Sequence, residues 1–149
     1  MKEMDIKFVK KHEEAILPKR NNTCPLTGDV GYDLFSVADI IIPPGEFKVV
    51  PVGLLLGDIT PGYWFRIEAR SGLGFKHNLQ PHFGIIDNPY RGDLGIKIYN
   101  LGPIAKRIKK GQACAQFVVY EMINANCGWI DSPTETTRGE NGFGSSDKV

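Results

Sequence analysis

Long apolar runs are missing from this 149-residue chain. None approaches the roughly 18–20 residues that a membrane-crossing helix needs. The opening Met1-Lys-Glu-Met-Asp-Ile-Lys-Phe8 has no apolar h-region, so no secretory signal is expected. Cysteine is scarce too: Cys24, Cys114 and Cys127 are odd in number, widely spaced and without a C-x-x-C pair. That excludes a disulfide frame or a zinc site and fits reduced thiols, with Cys114 a small core residue of an apolar strand. A cytoplasmic protein is expected (host cytoplasm if the source is viral), neither secreted nor membrane-bound. Charge of one sign is also lacking. Eighteen Lys and Arg face seventeen Asp and Glu, a net charge of +1. No global field draws the chain to nucleic acid or an anionic membrane, so any anion recognition is local.

What is there is ordinary for a globular domain: 42% hydrophobic and 23% charged residues, at a length that buries a real core. Helical periodicity is nearly absent. Alternation predicts strands at 5–9, 29–37, 39–42, 47–56, 63–68, 82–86, 94–99 and 112–122, separated by Gly, Pro and Asn turns. Lys106-Arg-Ile-Lys-Lys-Gly111 reads as a basic turn, and Arg70-Ser-Gly-Leu-Gly74 as a glycine-flanked loop that opens at most a brief helix. Short punctuated strands imply an all-β, jelly-roll-like barrel over residues 1–131. Residues 132–149 are nearly devoid of core formers and read as a flexible tail.

Five stretches carry chemistry. Gly84-Ile-Ile-Asp-Asn-Pro-Tyr-Arg-Gly92 runs two isoleucines into a carboxylate and a turn, with 94–99 expected as the return strand of a hairpin. Asp87 at its lip either caps an ordinary turn or faces a ligand. Arg70-Ser71-Gly72 offers a guanidinium, a hydroxyl and an open backbone to a polyanion. Gln116 is an amide inside an apolar strand, either a satisfied core group or one that holds a water; Asp33 poses the same choice. Gly31, inside the expected second strand, marks a bulge or a close approach by a ligand or another chain. Arg138-Gly-Glu-Asn-Gly-Phe-Gly-Ser-Ser146 is rich in N–H and O–H donors of the kind that cradle phosphate, and Phe143 is out of place in a merely solubilising tail.

In order, Gly31-Tyr-Asp-Leu34, Arg70-Ser-Gly-Leu73, the 84–92 stretch, Gly111-Gln-Ala-Cys-Ala-Gln116 and the 138–146 stretch resemble the homotrimeric deoxyuridine triphosphate nucleotidohydrolases, the dUTPases. The likeness spans residues 31–146. It implies a jelly-roll-like barrel, three subunits building three shared sites, and hydrolysis of dUTP to dUMP and pyrophosphate. By this resemblance Asp87 is the general base, Gln116 its amide partner, and Ser71 the donor to the leaving oxygen between the α- and β-phosphates. Arg70, with Gly72 beside it, would hold phosphate. The backbone of Phe83, Gly84, Ile85 and Ile86 would read uracil, and Tyr90 would lie under the deoxyribose and exclude a 2′-hydroxyl. Arg138, Gly144, Ser145 and Ser146 would take the γ-phosphate end, and Phe143 would cap the base. Mg2+ is expected on the triphosphate and waters, one of them held by Asp33, with no direct protein ligand.

His82, Phe83 and Pro89 depart from the family's small hairpin residues, and Asn141 and Asp147 from its tail glycines. A dCTP deaminase on the same fold would need a glutamate where Lys97 stands. A nucleotide-sensing regulatory protein that only binds is the other rival reading, and it has no need of Asp87 or the tail.

Overall fold

Alternating apolar residues set which face of each strand is buried. The computed structural model describes residues 2–144. Ten strands and one short helix follow in order: β1 (Ile6–Lys10), β2 (Tyr32–Phe35), β3 (Ile40–Ile42), β4 (Phe47–Ile59), β5 (Tyr63–Glu68), α1 (Ser71–His77), β6 (Leu79–Pro81), β7 (Gly84–Ile86), β8 (Asp93–Asn100), β9 (Lys106–Ile108) and β10 (Ala113–Glu121). They form two four-stranded antiparallel sheets, β1-β4-β8-β6 and β2-β10-β5-β7, and a two-stranded sheet, β3-β9. The all-β, jelly-roll-like expectation holds, as facing antiparallel sheets.

Val50, Val52, Leu54 and Leu56 of β4 and Leu94, Ile96 and Ile98 of β8 point inward from the first sheet. Phe65 and Ile67 of β5, Leu34 of β2 and Phe117 of β10 meet them from the second. Phe117 is the hub: its ring lies 4.7 Å from Phe65, 5.2 Å from Tyr32 and 6.4 Å from Phe8 across the sandwich. Burying such aromatic and aliphatic side chains stabilises by about 1.5–3 kcal/mol each, which fixes the β2–β10–β5 face as a rigid platform.

Several sequence expectations shift. β2 starts at Tyr32, not residue 29, because Asp29 exchanges contacts with Asn22: its N–H donates to Asn22 O and its carboxylate accepts from Asn22 N. Gly31 therefore precedes the strand. The basic turn begins as a strand, β9, with Ile108 buried opposite Ile40. β4 runs on to Ile59, and Leu79–Pro81 forms an additional strand, β6, against β8. The expected hairpin between 84–86 and 94–99 is not one ladder. After His82 donates to Lys97 O, the chain leaves β8 and β7 pairs with β5 in the other sheet. The 87–92 turn thus bridges the two sheets.

Candidate active site

Gln116 on β10 pairs across the ladder with Asp33 on one side and Glu68 on the other. Its Nε2 donates to Ala69 O at 2.7 Å, just past the end of β5, which fixes that end of the amide. Asp33 is 6% exposed, and its Oδ1 accepts from Arg70 Nε at 3.0 Å. Such a charge-assisted bond in a half-buried setting orients the guanidinium and leaves its two terminal nitrogens free of other bonds among the described residues. Ser71 and Gly72 follow on the exposed first turn of α1. Gly31, Asp33, Arg70, Ser71, Gly72 and Gln116 converge on one cavity of about 310 Å3. Three of the five sequence stretches thus meet here, brought together by β2, β10 and the first turn of α1.

At Gly31, where the sequence left open a bulge or a close approach by a ligand or another chain, the space a side chain would take is occupied from within the chain. The Gln116 side chain of the same chain fills it.

The carboxylate stretch lies elsewhere. Tyr90 N donates to Asp87 O, closing the turn, and Asn88 Nδ2 donates to Thr60 O at 3.0 Å and Tyr63 O at 2.9 Å. Asn88 therefore clamps the turn onto the β4–β5 connection. Tyr90 folds over Gly92 and donates its hydroxyl to Asp93 O at 2.7 Å, while Arg91 braces the carbonyls of Asn88 and Tyr90. Asp87 and Tyr90 are left facing solvent. On the preceding strand, β7, a hollow of about 330 Å3 is bounded by Phe83, Gly84 and Ile85, together with Arg66 and Glu68 of β5.

The ladder registers measure the gap between the two clusters. Ile86 is opposite Phe65, so Asp87 is level with Trp64 and, across β5, with Tyr120, four positions from Gln116 on β10. At about 3.3 Å per residue and 4.8 Å between strands, their backbones are roughly 16 Å apart. One water cannot touch both side chains within one chain. Larger hollows, of about 510 and 760 Å3, hold none of the residues expected from the sequence to carry chemistry.

The dUTPase family model matches residues 15–147. A deoxyuridine 5′-triphosphate nucleotidohydrolase of Gloeothece citriformis is 35% identical over 96% of this chain and 97% of that protein. One of Nautilia profundicola is 36% identical over 97% of this chain and 100% of its own length. The chain belongs to the dUTPase family. Among solved structures, the Staphylococcus bacteriophage 80alpha dUTPase G164S mutant with dUpNHpp superposes with a TM-score of 0.81 at 26% identity, covering 95% of this chain and 98% of that one.

Against the dUTPase expectations, Asp33, Arg70, Ser71, Gly72 and Gln116 line one hollow and Phe83, Gly84 and Ile85 another, with Ile86, Asp87 and Tyr90 following in the chain, and no residue of either set lines the other's hollow. Arg138 donates from Nε to Asn141 O within a small turn of its own, and Phe143 and Gly144 are exposed beyond it. Ser145 and Ser146 lie outside the described residues. No element among the described residues covers 122–144. The sequence reading missed three supports: the Ala69 carbonyl that holds Gln116, the Asn88 clamp, and Arg66 and Glu68 beside β7. Asn-Pro flagged a turn, but nothing in it told which strands the turn is tied to. Lys97 Nζ sits 4.0 Å from the Phe47 ring centroid and 5.3 Å from that of Tyr99, a cation among aromatics where a deaminase needs a carboxylate.

Proposed function

We infer that this chain hydrolyses dUTP to dUMP and pyrophosphate by attack of water on the α-phosphate, at sites assembled between copies of the chain. The observation that carries this is the convergence of a guanidinium, a hydroxyl and an oriented amide on one cavity, with the carboxylate they need roughly 16 Å away in the same chain. A second copy supplying its Asp87 completes the set, and a closed C3 trimer gives every copy the same two roles. The segment after β10 supports association: Met122, Ile123, Trp129 and Ile130 are all exposed in the single chain and would be covered by a neighbour.

In that assembled site Asp87 of one copy accepts a proton from the attacking water, and Gln116 of the next accepts its other hydrogen. The new bond forms between water oxygen and the α-phosphorus as the bond to the α–β bridging oxygen breaks. Ser71 donates to that oxygen as it gains charge, and Arg70, held by Asp33, neutralises the phosphates; such donors, already in place, need no reorganisation during the reaction. β7 is the edge strand of its sheet, so its outer backbone groups have no ladder partner and are free to read the uracil edge. Tyr90, held over Gly92, excludes a 2′-hydroxyl by contact. Arg138, Phe143, Gly144, Ser145 and Ser146 close over the nucleotide as a lid carried on residues 132–149.

Mg2+ fits this site as an ion carried by the triphosphate. Asp33 turns one oxygen to Arg70 and keeps the other for a water, and no group of three or more His, Cys, Asp or Glu among the described residues forms a cage. The ion would add charge neutralisation at the phosphates.

The test is pyrophosphate release from a panel of nucleoside triphosphates with magnesium. dUTP is expected to be cleaved, and dTTP, dCTP and UTP to be poor substrates. Turnover of dCTP at a similar rate, or release of ammonia, overturns the assignment in favour of deaminase chemistry. Binding of dUTP without any turnover overturns it in favour of a sensor.

A further inference from the structure

We propose that Gly31 is a positioning residue for hydrolysis: its missing side chain is the seat that keeps the Gln116 carboxamide aimed into the site. The inference rests on the reading of Gln116 as the amide that holds the attacking water.

The ladder pairs Phe117 with Tyr32 and Gln116 with Asp33, which brings the Gln116 side chain over the residue that precedes β2. A Cβ on Gly31 would stand 1.9 Å from Gln116 Oε1, 2.7 Å from Cδ and 3.4 Å from Cγ. The first two distances are overlaps, so the amide and a side chain at position 31 cannot share the space. The other end of the amide is fixed, since Nε2 donates to Ala69 O at 2.7 Å. That bond settles the orientation as well. With the NH2 turned to Ala69, the carbonyl oxygen is left on the Gly31 side, where the cavity is, as an acceptor for a water proton.

The backbone does not demand glycine here. Gly31 is absent from the glycines with positive φ, so alanine meets no conformational penalty of its own. Its one obstacle is the tip of a flexible side chain, which yields by turning away. The expected damage is therefore to the aim of Gln116 and not to the fold. Displacing an oriented group by about 1 Å costs on the order of 100-fold in rate.

The experiment compares wild type, Gly31→Ala, Gln116→Ala and the double variant as full-length assembled proteins. It measures kcat and KM for dUTP, the melting temperature, and the assembly state by light scattering. Gly31→Ala is expected to lower kcat roughly 100-fold with KM and assembly little changed, and to melt within about 3 °C of wild type. The double variant is expected to be no slower than Gln116→Ala alone, because both changes remove the same interaction. If Gly31→Ala keeps normal kcat while Gln116→Ala is crippled, the positioning role is wrong and the reading of the site stands. Losses that multiply in the double variant, or a kcat loss that tracks a lower melting temperature, also overturn it. A normal kcat for Gln116→Ala overturns the role of Gln116 and with it that of Gly31.

Discussion

Mixing two dead proteins should give a live one. Asp87→Asn keeps the shape of the turn but removes the proton acceptor, which is expected to lower kcat about 10²–10⁴-fold. Gln116→Ala removes the amide from the other half of the site. In the proposed trimer neither variant alone holds a complete pair. If Asp87 of one copy works with Gln116 of the next, a randomly mixed trimer has a one-half chance of an intact residue at each position. About one quarter of all sites are then whole in a 1:1 mixture, independent of the third copy. The assay is pyrophosphate release after the two variants are unfolded together and refolded, with each variant refolded alone as the baseline. Recovery to about a quarter of the wild-type rate is expected. A mixture no more active than the mean of its parents would mean that both groups serve the same chain's site. The ladder registers, which set them roughly 16 Å apart, would then have to break on substrate binding.

Deleting residues after Thr137 should cut kcat far more than stability, because 122–144 carries no strand or helix among the described residues; unchanged turnover would remove the lid role of Phe143. In the same vein, trypsin should cleave at Arg138 in the free protein and be blocked by a non-hydrolysable dUTP analogue with magnesium. Asn100 is fully buried, donates to Ile42 O and Ile104 O, and accepts from Gly102 N. Asn100→Ala should therefore cost about 2 kcal/mol or more in urea unfolding, since it strands the buried Ile42 carbonyl and two part-buried groups, Ile104 O and Gly102 N; a cost below 1 kcal/mol would contradict it. Burial pushes the Cys114 thiol from 9.0 up to about 12, so the folded state favours the neutral thiol. Its contribution is intact below pH 9 and is lost as pH rises toward 12. Wild type should lose melting temperature across that window more steeply than Cys114→Ala, and parallel curves would refute this.

β5 was legible to the residue, since Phe65-Arg-Ile-Glu68 alternates, a Thr-Pro-Gly turn precedes Tyr63 and the alternation stops at Ala69. β6 was not, because Leu79-Gln-Pro is too short to show a period and ends in proline. The 84–99 region looked like a hairpin because strand patterns state which face is buried and say nothing of which neighbour is paired. Residue types singled out candidates: a lone amide in an apolar strand needs a partner, and Gln116 finds one in the Ala69 carbonyl, whereas Asp87 lies exposed at its turn. Their partners were illegible. That Gln116 reaches Ala69 and overlies Gly31 depends on how β10 sits between β2 and β5, a register fixed only by the packed core around Phe117.

The pairing of Arg70 with Asp33 also bears on how this sequence can drift. A guanidinium has donors that diverge, so Nε can serve a carboxylate while the terminal nitrogens serve a phosphate. An ammonium has a single charged centre, and lysine at position 70 would have to desert one partner for the other. Loss of Asp33 would release that constraint, but it would also set the arginine free to swing. A change at either position would thus narrow what the other can become, because each holds the other's charge in place.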